Sequence, residues 1–212
     1  MDATHPATAQ AAITPSRLRA SGVILFALAA QFMVVIMLGA SIAPGYDMAS
    51  GAISDLGVIE ETAMLFNLSL VAVGILNVLG GALLLRWHGR AWLFALFLVA
   101  GVGAIGAGVF PLDSGGPHGL FALIAFLAFN LQAVGVTAVT TGPIRWLAAL
   151  AGIVGLAFVV LMAIGDGGNA AAFGPIGHGG TERMIVYPVM LWMLAFGGWL
   201  MASPDHPEIV PR

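Results

Sequence analysis

The chain alternates between long apolar runs and short polar connections, and this pattern occurs six times. A helix needs roughly 20 mainly apolar residues to cross the hydrocarbon core of a bilayer. Six runs reach about that length, approximately at residues 21–42, 62–85, 91–110, 118–141, 144–165 and 184–202. The pattern therefore predicts an all-α fold, namely a six-span transmembrane helical bundle.

Composition supports this prediction. Of the 212 residues 60% are hydrophobic and only 8% are charged, and the mean hydropathy is +1.02. A soluble domain is usually about 45–50% apolar and about 25% charged. We therefore expect a multi-pass integral protein of the cell (cytoplasmic) membrane. We expect three parts, which are a mobile polar segment at 1–20, a transmembrane domain at 21–202 and an irregular tail at 203–212.

The distribution of arginine predicts the orientation of the bundle. With six spans, all arginines except Arg183 fall on one side, and these are Arg17, Arg19, Arg86, Arg90, Arg145 and Arg212. By the positive-inside rule that side is cytoplasmic, so both termini are predicted to be cytoplasmic. The chain contains no cysteine and no lysine. Disulfides, thiolate metal sites, cysteine nucleophiles and lysine Schiff bases are therefore excluded.

Polar residues gather in the three connections that this topology places on the extracytoplasmic side. Ionisable groups near a membrane are candidates for a functional site, above all in a chain with so few charges. Asp55 lies in AISDLG, His118 follows FPLDSGGP, and three more candidates lie in GHGGTERM. We predict four catalytic residues and two substrate-binding residues. The catalytic set is His118, His178, Asp55 and Glu182, and the substrate-binding set is Arg183 and Asn67.

Two kinds of chemistry are open for these residues. His118 and His178 would supply two imidazoles, and Asp55 would supply a carboxylate, with Asp113 or Glu182 as alternatives. Such a set is suited to zinc or another divalent metal with an open coordination position. These ligands would come from separate loops, and the chain has no H-E-x-x-H motif. The other chemistry is metal-free, because a histidine beside a carboxylate at a poorly hydrated site can act as a general acid or base near neutral pH.

A structural role is open for the same positions. Ser54 and Asp55 can cap the helix that begins the second span, and Thr181 can cap the sixth. Arg183 can pair with Glu182 or Asp55 and tie the loops together. Within the spans, Gly-rich segments such as GVGAIGAG (101–108) and AGIVG (151–155) predict close helix packing. Polar side chains there need partners on neighbouring helices, and these are Gln31, Asn67, Asn77, Asn130 and Gln132.

Four short segments resemble the DUF998 family of bacterial and archaeal membrane proteins. They are ISDLG (53–57), Phe66-Asn67, VFPLD…HG (109–119) and GGTERMIVYP (179–188). The resemblance implies a multi-pass helical fold and a special role for Asp55, Asn67, His118, Glu182 and Arg183. It implies no mechanism, because the family has no established activity. In layout alone the chain is also similar to the FRAG/DRAM/SFK group of six-span proteins, some of which are linked to lipid remodelling.

Two functional hypotheses follow from the sequence. The first is a membrane-embedded enzyme that acts on a lipid or lipid-linked substrate from the outer leaflet. The second is a non-catalytic membrane subunit or assembly factor, in which the polar residues form a structural clasp between loops. The expected partners are membrane lipids and, in the second case, other membrane subunits. We expect no nucleic acid to bind.

Overall fold

Within the part of the chain that the structure describes, the protein folds into six long α-helices. The structure, a computed structural model, describes residues 15–202, so most of the predicted N-terminal segment and the whole tail lie outside the described residues. The helices are α1 (Pro15–Ile42), α2 (Ala63–His88), α3 (Ala91–Val109), α4 (Gly116–Val136), α5 (Gly142–Asp166) and α6 (Gly177–Ala202). All six are long and apolar enough to cross a membrane. The predicted all-α, six-span bundle is confirmed.

Two helices begin earlier than the hydropathy pattern predicted. Helix α1 begins at Pro15 rather than at residue 21, because a helix can extend beyond its apolar part. Helix α6 begins at Gly177 rather than at residue 184, since the glycines of GHGG are accommodated within it. Thr181 therefore does not cap α6. Its hydroxyl lies inside the helix and donates to the Gly177 carbonyl at 2.9 Å.

The helices form a closed ring. Each packs against the next in sequence, and α6 packs back against α1. The chain runs up and down, so the α1–α2, α3–α4 and α5–α6 connections lie at the same end of the bundle, called the site end below. Each contains a short 3₁₀ helix, at Ile53–Gly57, Leu112–Ser114 and Ala170–Ile176. The first of these contacts α1, α6 and the second 3₁₀ helix, so connections far apart in sequence meet.

Glycines allow the helices to approach closely. Gly22 of α1 faces Gly197 of α6, and a Cβ on either residue would lie only 2.6–2.7 Å from the other's carbonyl oxygen. In α2 and α3, Gly74 and Gly101 meet in the same way. A Cβ on Gly152 would lie 2.5 Å from a backbone oxygen of α4. The predicted close packing of the glycine-rich segments is therefore confirmed.

Buried amide side chains link neighbouring helices. The Asn77 side chain donates to the Phe97 carbonyl at 2.8 Å and to Gln132 Oε1 at 2.9 Å, and Gln132 Nε2 donates back to Asn77 Oδ1 at 3.2 Å. This group joins α2, α3 and α4. Between α1 and α2, the Ser69 hydroxyl donates to Gln31 Oε1 at 2.8 Å. These bonds confirm the predicted interhelical pairing and satisfy polar groups where no water is at hand.

Candidate functional site

The first turns of α6 hold the connection between α1 and α2. Arg183, with only 6% of its surface exposed, is the centre of this contact. Its Nη1 donates to the carbonyls of Met48, Gly51 and Gly179 at 2.8–2.9 Å, and its Nη2 donates to the Tyr46 hydroxyl at 2.5 Å. The guanidinium carbon also lies 5.7 Å from the centre of the Tyr46 ring. We call Arg183, Tyr46 and the three carbonyls the clasp.

Backbone contacts reinforce the clasp. The Gly179 amide donates to the Ala49 carbonyl at 2.9 Å, and a methyl group on Gly179 would overlap the Gly51 carbonyl oxygen. Tyr46 donates its own proton to the Ala52 carbonyl at 2.6 Å. Burial raises the pKa of Tyr46 above its ordinary value, although the hydrogen bond from Arg183 acts in the opposite direction. The phenol therefore remains a neutral donor at physiological pH.

Glu182 connects the clasp to the interior of the bundle. It follows the N-terminal turn of α6, is 5% exposed, and its Oε2 accepts a hydrogen bond from the Ile53 amide at 2.5 Å. Glu182 and Arg183 do not pair with each other at ion-pair distance, and neither pairs with Asp55. Each binds the backbone of the α1–α2 connection instead. The predicted tie between loops is present, but it is made through backbone groups rather than through an ion pair.

Asp55 and Asn67 stabilise the first 3₁₀ helix. The Asp55 carboxylate accepts a hydrogen bond from the Ala52 amide at 2.8 Å, at the start of that helix. The prediction that Asp55 caps the helix of the second span is therefore wrong, because a separate 3₁₀ helix precedes α2. The Asn67 side chain donates to the Gly57 carbonyl at 2.8 Å, at the other end of the 3₁₀ helix.

His178 lies apart from His118. Its Nε2 is 3.2 Å from Asp166 Oδ1, with both side chains partly exposed, and its ring meets Phe173 edge-on at 5.0 Å. This pair joins the end of α5 to the start of α6. Within residues 15–202 no three His, Asp or Glu side chains are grouped so that they could hold a metal ion. The predicted metal set of His118, His178 and Asp55 is thus not assembled, because each member is bound to a different part of the site end.

His118 is fixed across the turn between α3 and α4. It lies in the first turn of α4, is 4% exposed, and its Nδ1 is 2.8 Å from the Phe110 carbonyl oxygen. A carbonyl can only accept, so Nδ1 carries the proton, and in the neutral ring Nε2 is an acceptor. Asp113, in the same turn, is exposed to solvent. The histidine of FPLDSGGPH is therefore directed inward, whereas the aspartate is part of the surface.

His118 and Glu182 both line a cavity inside the ring of helices, called the central cavity below. Its volume is about 60 Å³, more than the roughly 10–15 Å³ that one enclosed water needs. Asn130 lines it too, three turns further along α4, or about 18 Å below His118. The other walls are apolar and include the rings of Phe32, Phe66, Phe126 and Phe129. The cavity thus has its acidic and imidazole groups at the site end and a long apolar body.

The two ionisable residues of the cavity do not pair with each other. No nitrogen of a described arginine or histidine lies within ion-pair distance of the Glu182 carboxylate, His118 included. His118 and Glu182 therefore line one cavity without direct contact between their charged or titratable atoms. Sequence reasoning identified both residues, but it missed the phenylalanine walls and Tyr46. Tyr46 is one of only two tyrosines in the chain and lies in a predicted functional loop, which was an available signal.

This architecture defines a multi-pass helical integral membrane protein. The chain belongs to the family described as protein of unknown function (DUF998), which it matches over residues 26–199. The resemblance inferred from its short segments is thereby confirmed. Neither a curated protein nor a solved structure matches the chain.

Proposed function

We propose that this protein is a membrane-embedded enzyme that acts on a lipid or lipid-linked substrate in the central cavity. The observation that carries the proposal is the state of His118. This imidazole is buried and anchored through Nδ1, and it lines an apolar cavity together with an unpaired carboxylate, Glu182. An anchored imidazole with an available Nε2 is suited to general acid–base catalysis.

The location of the cavity favours a substrate that comes from the bilayer. The cavity lies between membrane-spanning helices, and its walls are apolar over most of their length. An alkyl chain gains hydrophobic contact there, while the reacting group stays near His118 and Glu182. The arginine distribution predicts that the site end is extracytoplasmic, so the substrate would enter from the outer leaflet of the cell membrane.

Within this proposal most of the other predicted site residues do not contact the substrate but hold the backbone that positions Glu182. Asp55 and Asn67 hold the 3₁₀ helix Ile53–Gly57, which carries the Ile53 amide that binds Glu182. Arg183 fixes the loop that precedes this helix. His178 is the exception, because its partner Asp166 lies on α5, away from the cavity lining.

The test compares His118 with a neighbour in the same turn. His118→Asn keeps an N–H that can donate to the Phe110 carbonyl but removes the acceptor at Nε2. Asp113→Asn changes an exposed residue and serves as the matched control. We expect wild-type protein, incubated with total bacterial lipid, to convert at least one species seen by mass spectrometry. Asp113→Asn should do the same, and His118→Asn should lose at least tenfold in rate.

Two outcomes contradict the proposal. The first is that no lipid species changes when the wild-type protein is added. The second is that His118→Asn converts lipid as fast as the wild type while unfolding at the same temperature. In either case His118 would be part of the architecture rather than of the chemistry.

The clasp favours a second candidate, a non-catalytic membrane subunit or assembly factor. Arg183 and Tyr46 are committed to holding a loop, which is the role a structural clasp requires. Such a protein would present its ordered site end to other membrane subunits. Cross-linking of intact membranes followed by purification tests this candidate. A stoichiometric partner lost in a clasp variant but kept in His118→Asn supports it, and recovery of the protein without a partner counts against it.

A further inference from the structure

The polar groups that line the central cavity accept hydrogen bonds and offer no spare donor. His118 uses its Nδ1 proton on the Phe110 carbonyl, so Nε2 is an acceptor. Glu182 contributes a carboxyl group, and when this group is ionised, as it would be beside a cation, it only accepts. The Asn130 side chain donates both of its amide hydrogens, to the carbonyls of Phe126 and Ile185 at 2.8 and 3.2 Å. A ligand that satisfies this cavity must therefore bring N–H or O–H groups of its own.

The charge and the walls of the cavity further restrict the chemical class of the ligand. Glu182 is buried and has no cationic partner within ion-pair distance among the described residues. A buried carboxylate gains most from a positively charged donor, because charge-assisted hydrogen bonds are about twice as strong as neutral ones. Phenylalanine faces also attract cations through their ring quadrupoles. Phe66, near the start of α2, lines the cavity toward the site end, so its ring is suited to this contact.

We propose that the central cavity binds a primary ammonium group carried on an apolar chain, with the nitrogen between Glu182 and His118. This inference rests on the proposed function for the choice of site, and it names the substrate class of that site. A primary ammonium has three N–H donors, enough for the carboxylate and for Nε2 of His118. The attached chain occupies the apolar body of the cavity.

Related chemical groups fit less well. A quaternary ammonium has the charge but no N–H, so it leaves Nε2 of His118 unsatisfied. An anionic headgroup would be repelled by Glu182. A neutral alcohol has a donor but gains no Coulombic attraction. The affinity of the cavity for a ligand should therefore increase with positive charge and with the number of N–H donors. Non-specific partitioning into detergent or lipid would not produce this order.

The first experiment measures binding of small probes to the full chain in detergent by isothermal titration calorimetry. The probe is n-butylammonium, and the comparison ligands are butyltrimethylammonium and butyrate. We expect saturable 1:1 binding of n-butylammonium, at least tenfold weaker binding of butyltrimethylammonium, and none of butyrate. Equal binding of n-butylammonium and either comparison ligand overturns the proposal, and so does the absence of n-butylammonium binding.

Substitutions of Glu182 and His118 test whether n-butylammonium binds between these two residues. Glu182→Gln retains an oxygen that can accept from the Ile53 amide but removes the charge, and it should weaken n-butylammonium binding at least tenfold. His118→Asn should weaken it several-fold, and Asp113→Asn should leave it unchanged. Thermal unfolding of each variant checks that it is folded. If Glu182→Gln does not fold, His118→Asn carries the test, and unchanged binding by a folded variant of either residue overturns the assignment.

A last comparison tests the apolar chain. In nanodiscs of phosphatidylcholine, an added long-chain alkylamine should displace n-butylammonium. Added phosphatidylethanolamine should not, because its ammonium lies two carbons from a phosphate anion rather than on an apolar chain, and displacement by it would overturn the requirement for an apolar chain. Different results would contradict the amine-binding proposal and the proposal of an enzymatic function. Lipid conversion that depends on His118 without n-butylammonium binding overturns only the ligand, whereas binding without conversion overturns only the catalysis.

Discussion

The guanidinium of Arg183 donates to the hydroxyl of Tyr46, a residue 137 positions earlier in the sequence. Tyr46 lies just after α1 and Arg183 lies in α6, so this contact joins the first connection of the bundle to its last helix. The same guanidinium binds three backbone carbonyls, two of them in that connection. One side chain therefore holds several points of the α1–α2 connection at once.

Removal of this side chain should destabilise the protein. Arg183→Ala leaves several buried acceptors without a donor. Hydrogen bonds to charged groups contribute about 1.5–3 kcal/mol each, so we expect the unfolding free energy to fall by at least about 3 kcal/mol. Arg183→Lys should recover part of this stability because it keeps the positive charge. The recovery should be incomplete, because an ammonium lacks the planar array of donors of a guanidinium. Thermal unfolding followed by circular dichroism measures the change. Arg145→Ala removes an exposed arginine and should shift the melting temperature little; equal shifts would contradict the clasp.

Tyr46 should ionise only at high pH. Burial holds its pKa above the ordinary value of 10.0 in the folded protein. The stability that this phenol contributes is therefore complete below about pH 10, near the unfolded value, and falls as the pH rises through the folded-state pKa. The chain has two tyrosines, so in Tyr187→Phe an ultraviolet titration reports Tyr46 alone. A folded-state midpoint at or below that of the denatured protein would contradict the buried environment.

Two glycines of α6 offer a matched pair of substitutions. Gly179→Ala would push a methyl group into the Gly51 carbonyl, whereas the methyl group of Gly198→Ala meets nothing within 4 Å. Overpacking of this kind usually costs about 1–3 kcal/mol. We expect Gly179→Ala to lower the melting temperature and Gly198→Ala to leave it unchanged or raise it slightly. Limited proteolysis of the α1–α2 connection should accelerate only in Gly179→Ala, and a similar rate in both variants would argue against close contact there.

The amide pair of Asn77 and Gln132 should show measurable coupling. The two side chains exchange hydrogen bonds at 2.9 and 3.2 Å. Polar pairs inside membrane proteins couple by about 0.6 kcal/mol on average and rarely by more than about 1.7 kcal/mol. A double-mutant cycle with Asn77→Ala and Gln132→Ala should therefore give a coupling in that range. The pair Asn77 and Gln31 serves as the control, since Gln31 bonds to Ser69 instead, and coupling as large in the control would refute direct pairing.

Hydropathy predicted the fold almost completely because spanning a bilayer imposes a fixed length on every helix. It was less accurate where polar residues continue a helix, as at Gly177–Thr181, because such residues look the same in a loop. The ring closure by Gly22 and Gly197 was also hidden, since many glycines in the spans look alike in the sequence. These features depend on which helix faces which, and one sequence does not reveal that.

The candidate site was predicted in part. His118 and Glu182 were identified because ionisable residues are rare in this chain, and both do line one cavity. His178 was grouped with them because the sequence places it at the same end, but at that end it faces Asp166. The roles of Asp55, Asn67 and Arg183 depend on backbone partners, which carry no signal in the sequence. The phenylalanine walls were missed because such residues are ordinary in any membrane span.

The closure of the ring by α1 and α6 has a consequence for biogenesis. During synthesis α1 is translated before the other five described helices. Its lateral partner α6, whose residues hold the α1–α2 loop, is translated after the other five. Until α6 inserts, lipid has open access to the interior of the five-helix intermediate, and the α1–α2 loop has no anchor. Insertion of the final helix thus completes the barrier between the interior and the lipid and orders the site end in the same step.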